Sequence, residues 1–160
     1  MEREGFVQLV GPVFEHSPWI AEATWSKRPF ASREVLHAAL CETVRGAGQA
    51  RQLGLIQAHP DLVGKAALAG TLTTESSKEQ ASAGLGNLSP EEIALFQNYN
   101  GEYRDKFGFP FVICARLNKK AAIITGFEER LGNSREQEIQ TALAEIFKIA
   151  QLRLSDLITE

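Results

Sequence analysis

Three ionisable side chains sit where their neighbours do not account for them. The first is His59, in HPDLVGK (59–65), directly before a proline at a joint between two helix-like stretches. A residue before proline is pushed out of the helical region, which predicts that His59 ends one helix and stands at the mouth of the next. Pro60 suits a first helical turn there, and Asp61 suits the positive end of the helix dipole. Free backbone N–H groups at such a point disfavour imidazolium. A neutral ring can accept a proton, which is the task of a general base. On position alone the plainer reading is an unusual cap or a packing filler, because a lone histidine is a weak signal.

The second is Glu79, in ESSKEQASAGL. Ser76 and Glu79 have capping-box spacing, and so do Ser77 and Gln80, so either pair would account for its carboxylate or amide at a helix start. The functional alternative is that one pair caps while the other points into a pocket. The third is Arg153. On the last helix an apolar stripe runs through Ile139, Leu143, Ile146, Ala150 and Leu157, and position 153 lies within about 40° of two of these. A guanidinium on that face must be paired or must bind an anion. It is either an edge or internal ion-pair arginine, or a clamp for a carboxylate-bearing ligand. Gly108 and Pro110 in KFGFPFVIC (106–114) fix a backbone bend beside three phenylalanines. They could be core alone, or a wall for a small planar ligand.

Other chemistries lack their parts. No CxxC, HxxxH or HExxH spacing occurs, so a zinc site has no ligand set. The GLG of 84–86 is followed by Ser89 where a dinucleotide fingerprint needs glycine or alanine, so no cofactor is expected. Cys41 and Cys114 lie in apolar surroundings and read as small buried hydrophobes. Net charge is −3, from 17 basic and 20 acidic residues, and the basic residues are scattered, which argues against nucleic acid as a partner. No apolar run approaches the ~20 residues that span a bilayer, so no membrane partner is expected either. The N-terminus is too acidic for a secretory signal and SDLITE is not a peroxisomal address, leaving a cytoplasmic protein as the expectation.

The elements that must position these residues read as helices throughout. Ser17-Pro18 opens SPWIAEATW. Ser32 precedes a stripe of Val35, Leu36, Ala39, Leu40 and Val44 that ends at Gly46 and Gly48. Ser89-Pro90-Glu91-Glu92 is a capping box, and Ser134 with Gln137 makes another, opening a last helix that runs to about residue 158. The strand-like FPFVICA (109–115) has no pairing partner, and Pro110 argues against a central strand. No repeat or linker appears, so the expectation is an all-α, single-domain helical bundle over residues 1–160.

SPWIAE (17–22), PF (29–30), HPDLVGKAALAG (59–70), LTTESSKEQASAGL (72–85), KFGFPFVIC, ERLGN (129–133) and EIFKIAQLRLSDL (145–157) occur in one order. Together they resemble the decarboxylases of urate breakdown that act on 2-oxo-4-hydroxy-4-carboxy-5-ureidoimidazoline (OHCU). The resemblance implies a cofactor-free, all-helical homodimer that converts OHCU to (S)-allantoin and CO₂. It matches the family's catalytic histidine to His59, its glutamate to Glu79 and its substrate arginine to Arg153. Pro60, Ser76, Gln80, Phe111, Val112 and Ile113 correspond to the pocket lining. A rival is a helical binding or regulatory module that keeps the pocket without turnover. Hydrolysis of 5-hydroxyisourate, the preceding pathway intermediate, belongs to a β-rich fold whose strands this chain lacks.

Overall fold

Polar side chains at Ser32, Thr73, Ser89 and Ser134 set where four of the helices begin. The computed structural model describes residues 2–158, with residues 65 and 66 described by their backbone alone. Among these residues the order is α1 (Arg3–Val10), α2 (Trp19–Thr24), α3 (Arg33–Arg45), α4 (Gln49–Gln57), α5 (Lys65–Ala69), α6 (Thr74–Ser82), α7 (Pro90–Phe107), α8 (Lys120–Arg130) and α9 (Arg135–Leu157). Short 3-10 turns at Gly11–Val13, Trp25–Lys27 and Ala115–Leu117 join them, and no strand occurs among the described residues. The fold is all-α, as the sequence implies.

Ser32 accepts the Val35 N–H at the head of α3, and Ser89 with Glu92 forms the reciprocal box that opens α7, with Pro90 in its first turn. Ser134 and Gln137 do the same for α9, the Ser134 N–H reaching the Gln137 amide oxygen at 2.8 Å. Ser17 departs from expectation. Its hydroxyl donates to the Glu15 carbonyl at 2.8 Å, and α2 starts at Trp19 with no side-chain cap. Gly108 ends α7 at φ +80°, a left-handed cap that suits glycine.

Two compact units are distinguished, one of residues up to 58 together with those from 146 on, the other His59–Glu145. In the first, α1 and α2 pack together, α2 lies on α3, and α3 on α4. The buried stripe of α3 is Leu36, Leu40, Cys41 and Val44, while Val35, placed on that stripe by the sequence reading, is 46% exposed. The last part of α9 buries Ile146, Ile149, Ala150, Arg153 and Leu154 and leaves Leu157 exposed, so the stripe turns away before the position expected for its end. Both cysteines are free and buried. Burial pushes the Cys41 thiol up to about 11, which leaves it protonated and unreactive.

The second unit packs α7 with α8 through Phe96 and Tyr99 on Phe127 and Tyr103 on Arg130. The extended segment after Gly108 enters this core. Phe109 and Phe111 are buried, Phe127 stacks on Phe111 at 3.8 Å between centroids, and the Arg130 guanidinium lies 4.3 Å over the Phe111 ring. These rings are therefore core members. A buried extended segment needs partners for its backbone groups. Arg130 Nη1 donates to the Val112 carbonyl at 2.7 Å, and the Cys114 N–H donates to Glu145 at 3.0 Å. Arg130 is fixed in turn by Glu138, which is fully buried and accepts from Arg130 Nε at 2.7 Å, from Asn133 at 2.9 Å and from the Tyr103 hydroxyl.

Removing one partner of a buried pair leaves the other charge uncompensated, at a cost of about 3–5 kcal/mol. Glu138→Ala is therefore expected to lower unfolding stability by about that amount in urea titrations at neutral pH. A loss below about 1 kcal/mol, the scale of an exposed pair, would show that Arg130 does not depend on this carboxylate.

Candidate active site

His59 follows α4 by two residues, yet α5 does not begin until Lys65. The ring therefore does not stand at a helix mouth, contrary to the expectation from sequence, and no helix dipole favours its neutral form. Between the two helices the chain makes a tight turn. An ideal Cβ on Gly64 would lie 2.7 Å from the Asp61 Cβ, so only glycine fits, and Val63 takes φ +54°, rare for a β-branched residue. Asp61 has its charge partner on another helix. Arg104 of α7 grips its carboxylate, with Nε at 3.1 and 3.2 Å from the two oxygens. His59 itself is 6% exposed, and Pro60 is half-buried.

Glu79 lies elsewhere on its helix than a cap would. Thr73 caps α6 by accepting the Ser76 N–H at 3.1 Å, so the helix starts before either predicted box, and Glu79 sits in its middle. Ser76, Glu79 and Gln80, spaced i, i+3, i+4, share one face and are 5%, 8% and 7% exposed. A buried face made of hydroxyl, carboxylate and amide is costly unless each group has a partner. Gln80 takes its partners from the turn after His59. Its Oε1 accepts the Val63 N–H at 3.1 Å, and its Nε2 makes a long contact of 3.5 Å to the Asp61 carbonyl. α6 also packs on the 3-10 turn Ala115–Leu117. Burial first, and then the negative charge of Glu145 and Glu79, push the Cys114 thiol up, which places the Glu79 carboxylate within electrostatic reach of Cys114.

The His59 turn and the polar face of α6 are thus joined by hydrogen bonds, and α6 packs on the 3-10 turn that follows the segment carrying Phe111, Val112 and Ile113, all within one unit. Of that segment Ile113 is the partly exposed member, while Phe111 and Val112 are buried. Gly126 of α8 lies beneath them, and a Cβ there would touch Ile113 at 3.4 Å.

Arg153 belongs to the other unit. It is 3% exposed, with Nη2 donating to Glu15 Oε1 at 2.9 Å and Nη1 to the Pro12 carbonyl at 3.1 Å. The internal ion pair left open by the sequence is present, and it fixes the plane of the guanidinium. Among the described residues no group of three His, Cys, Asp or Glu side chains is arranged to hold a metal ion, and no helix is long and apolar enough to cross a membrane.

Several polar residues that shape these parts were not singled out from the sequence. Asn100, on the buried stripe of α7 with Phe96, Tyr103 and Phe107, donates to the Leu62 carbonyl at 2.8 Å. Arg130, Glu138 and Glu145 hold the extended segment, and Glu15 holds Arg153. Glu138 and Glu145 share the heptad spacing of the buried side of α9, the same kind of signal that marks Arg153. Glu15 has no such signal, because it lies in a loop.

Residues 1–155 match the family model described as OHCU decarboxylase. A 2-oxo-4-hydroxy-4-carboxy-5-ureidoimidazoline decarboxylase of Halalkalicoccus jeotgali is 46% identical over 156 residues, 98% of this chain and 86% of that protein. The decarboxylase of the same name from Amia calva is 46% identical over 155 residues, covering 97% and 89% of the two chains. A crystal structure of (S)-allantoin synthase aligns with TM-score 0.78 at 28% identity, over 99% of this chain and 51% of that one. A crystal structure of OHCU decarboxylase in the presence of (S)-allantoin aligns over the full length of both chains with TM-score 0.74 at 22% identity, a likeness of fold. By the family match and by these relatives, the chain belongs to the OHCU decarboxylase family.

Proposed function

We propose that the protein decarboxylates OHCU to (S)-allantoin and CO₂, the last step in the oxidation of urate to allantoin. It does so without a cofactor, as a cytoplasmic homodimer acting as one domain. The observation that carries this reading is Glu79, a carboxylate 8% exposed in the middle of a helix that Thr73 caps, with Ser76 and Gln80 on the same buried face. The relatives named for the same substrate support the choice of reaction.

The substrate supplies its own electron sink. Its departing carboxylate is on a carbon that also bears a hydroxyl, next to a C=N carbon. When the C–CO₂ bond breaks, its electron pair forms a C=C bond and the C=N pair moves to nitrogen, which takes up a proton. The resulting enol loses its hydroxyl proton and gains one on the neighbouring carbon, and delivery to one face gives the (S) product. The net change is one carboxylate lost as CO₂ and one proton gained. In this scheme His59 transfers the proton at the hydroxyl or the enol, and Glu79 orients the ring through its polar nitrogens. Arg153 orients the anionic group, its fork held flat by Glu15. Pro60, Ser76, Gln80, Phe111, Val112 and Ile113 line the pocket in the same reading.

His59→Asn keeps a polar side chain of similar size and removes the ionisable ring. It is expected to lower kcat by roughly 10²-fold or more in a folded protein, measured on freshly generated OHCU. Near-normal turnover would return His59 to a packing role.

Because Thr73 caps α6, Glu79→Gln is expected to leave the melting temperature almost unchanged while activity falls. Thermal melts and initial rates on the same preparation check this. Parallel, large losses of both would mean that the carboxylate serves the fold.

Arg153→Lys keeps a charge opposite Glu15 and loses the bidentate fork. Decarboxylation needs the breaking bond roughly perpendicular to the C=N plane, so misorientation slows chemistry as well as binding. The expectation is a fall in kcat/KM of roughly 10-fold to 10²-fold with an unchanged circular dichroism spectrum. Wild-type kinetics, or simple unfolding, would assign Arg153 to the ion pair alone.

A further inference from the structure

The turn that follows His59 belongs to no helix, so its backbone must find partners elsewhere. Three consecutive residues find them in two carboxamides. Gln80 of α6 accepts the Val63 N–H at 3.1 Å and reaches the Asp61 carbonyl at 3.5 Å, while Asn100 of α7 donates to the Leu62 carbonyl at 2.8 Å. Val63 at φ +54° would not rest in that conformation unaided, since a β-branched side chain disfavours it. The Asp61–Arg104 ion pair is partly exposed, with side chains 24% and 42% accessible, and exposed pairs hold geometry weakly.

Asn100 shows what the amide is for. It is 6% exposed on an otherwise aromatic stripe, and its Oδ1 is the one buried side-chain atom without a hydrogen-bond partner among the described residues. A leucine would fill the same space without an unpaired acceptor. The reason to keep an amide there is the donor on the Leu62 carbonyl. Between that carbonyl and the imidazole stand only Asp61 and Pro60, and the proline has a fixed φ. Few soft torsions separate the clamped atoms from the ring.

We propose that Asn100 and Gln80 are positioning residues for His59, two carboxamides on α7 and α6 that clamp residues 61–63 and so hold the imidazole in one place, an inference that rests on His59 as the proton-transfer residue. Gln80 then acts through the turn, whichever part of it borders the pocket.

Asn100→Leu and Gln80→Met each remove the clamp while nearly conserving volume. In protein labelled at its histidines the ring signals of His16, His37 and His59 report directly, with His59 assigned from the His59→Asn protein. In either variant the His59 signal is expected to shift, broaden or split while those of His16 and His37 stay in place. Turnover should fall about tenfold or more in kcat in both, with KM within about twofold in Asn100→Leu, since a misplaced group slows chemistry more than binding. In Gln80→Met the pocket also loses an amide, and KM rises as kcat falls. An unchanged His59 signal in a folded variant overturns the clamp, and so does a Gln80→Met protein whose KM rises with kcat intact. If Asn100→Leu does not fold, Gln80→Met decides alone. If His59→Asn turns over normally, the proton-transfer reading fails, and the ring signals still decide whether the amides hold His59.

Discussion

Backbone outside a helix and away from water must be given hydrogen-bond partners, and an all-helical chain has no neighbouring strand to supply them. Two pieces of the second unit face this constraint, the turn at 60–64 and the extended run from Phe109 to Cys114. Both are answered by buried side chains. Arg130 and Glu145 serve the extended run at the Val112 carbonyl and the Cys114 N–H, and Gln80 and Asn100 serve the turn. Gln80, Asn100, Arg130 and Glu145, polar residues on the inner faces of α6, α7, α8 and α9, are therefore consequences of two non-helical segments placed inside a helical frame.

Such segments offer what a helix does not. A helix presents side chains at fixed spacing and hides its backbone, whereas a clamped turn presents one side chain, here His59, at a position no helix register supplies. The arrangement is costly on its own terms, with Glu138 fully buried, an unpaired amide oxygen on Asn100 and Val63 in a strained conformation. Local violations of this sort concentrate where function requires them. Burial pushes both thiols up, so neither offers a thiolate at neutral pH.

Much of the fold was legible because it is written locally. Ser32, Ser89 with Glu92, and Ser134 with Gln137 cap the helices their spacing announces, and Gly108 takes the left-handed turn its position suggests. FPFVICA forms no strand, as Pro110 and the lack of a partner imply. Where the structure departs from what the sequence predicts, the deciding fact is not local. Ser76 and Glu79 have the spacing of a cap, but Thr73 lies three residues earlier and wins the helix start, which a window of four residues does not reveal. His59 was placed at a helix mouth because proline favours a first turn. The close approach of Gly64 to Asp61 and the pull of Gln80 and Asn100 make a turn there instead. Arg153 was visible as an anomaly on a buried stripe. Its partner Glu15 comes from a loop 138 residues away in sequence, and no periodicity points to it.

Whether this frame turns over OHCU with its own side chains alone is decided on the wild-type protein. Protein dialysed against a strong chelator is added to OHCU freshly generated from urate, and CO₂ release and circular dichroism of the product are followed together. The account predicts that both signals rise well above the spontaneous rate and in step, ending in (S)-allantoin. Decay at the spontaneous rate to racemic allantoin would contradict it, and so would activity that returns only when zinc or magnesium is restored.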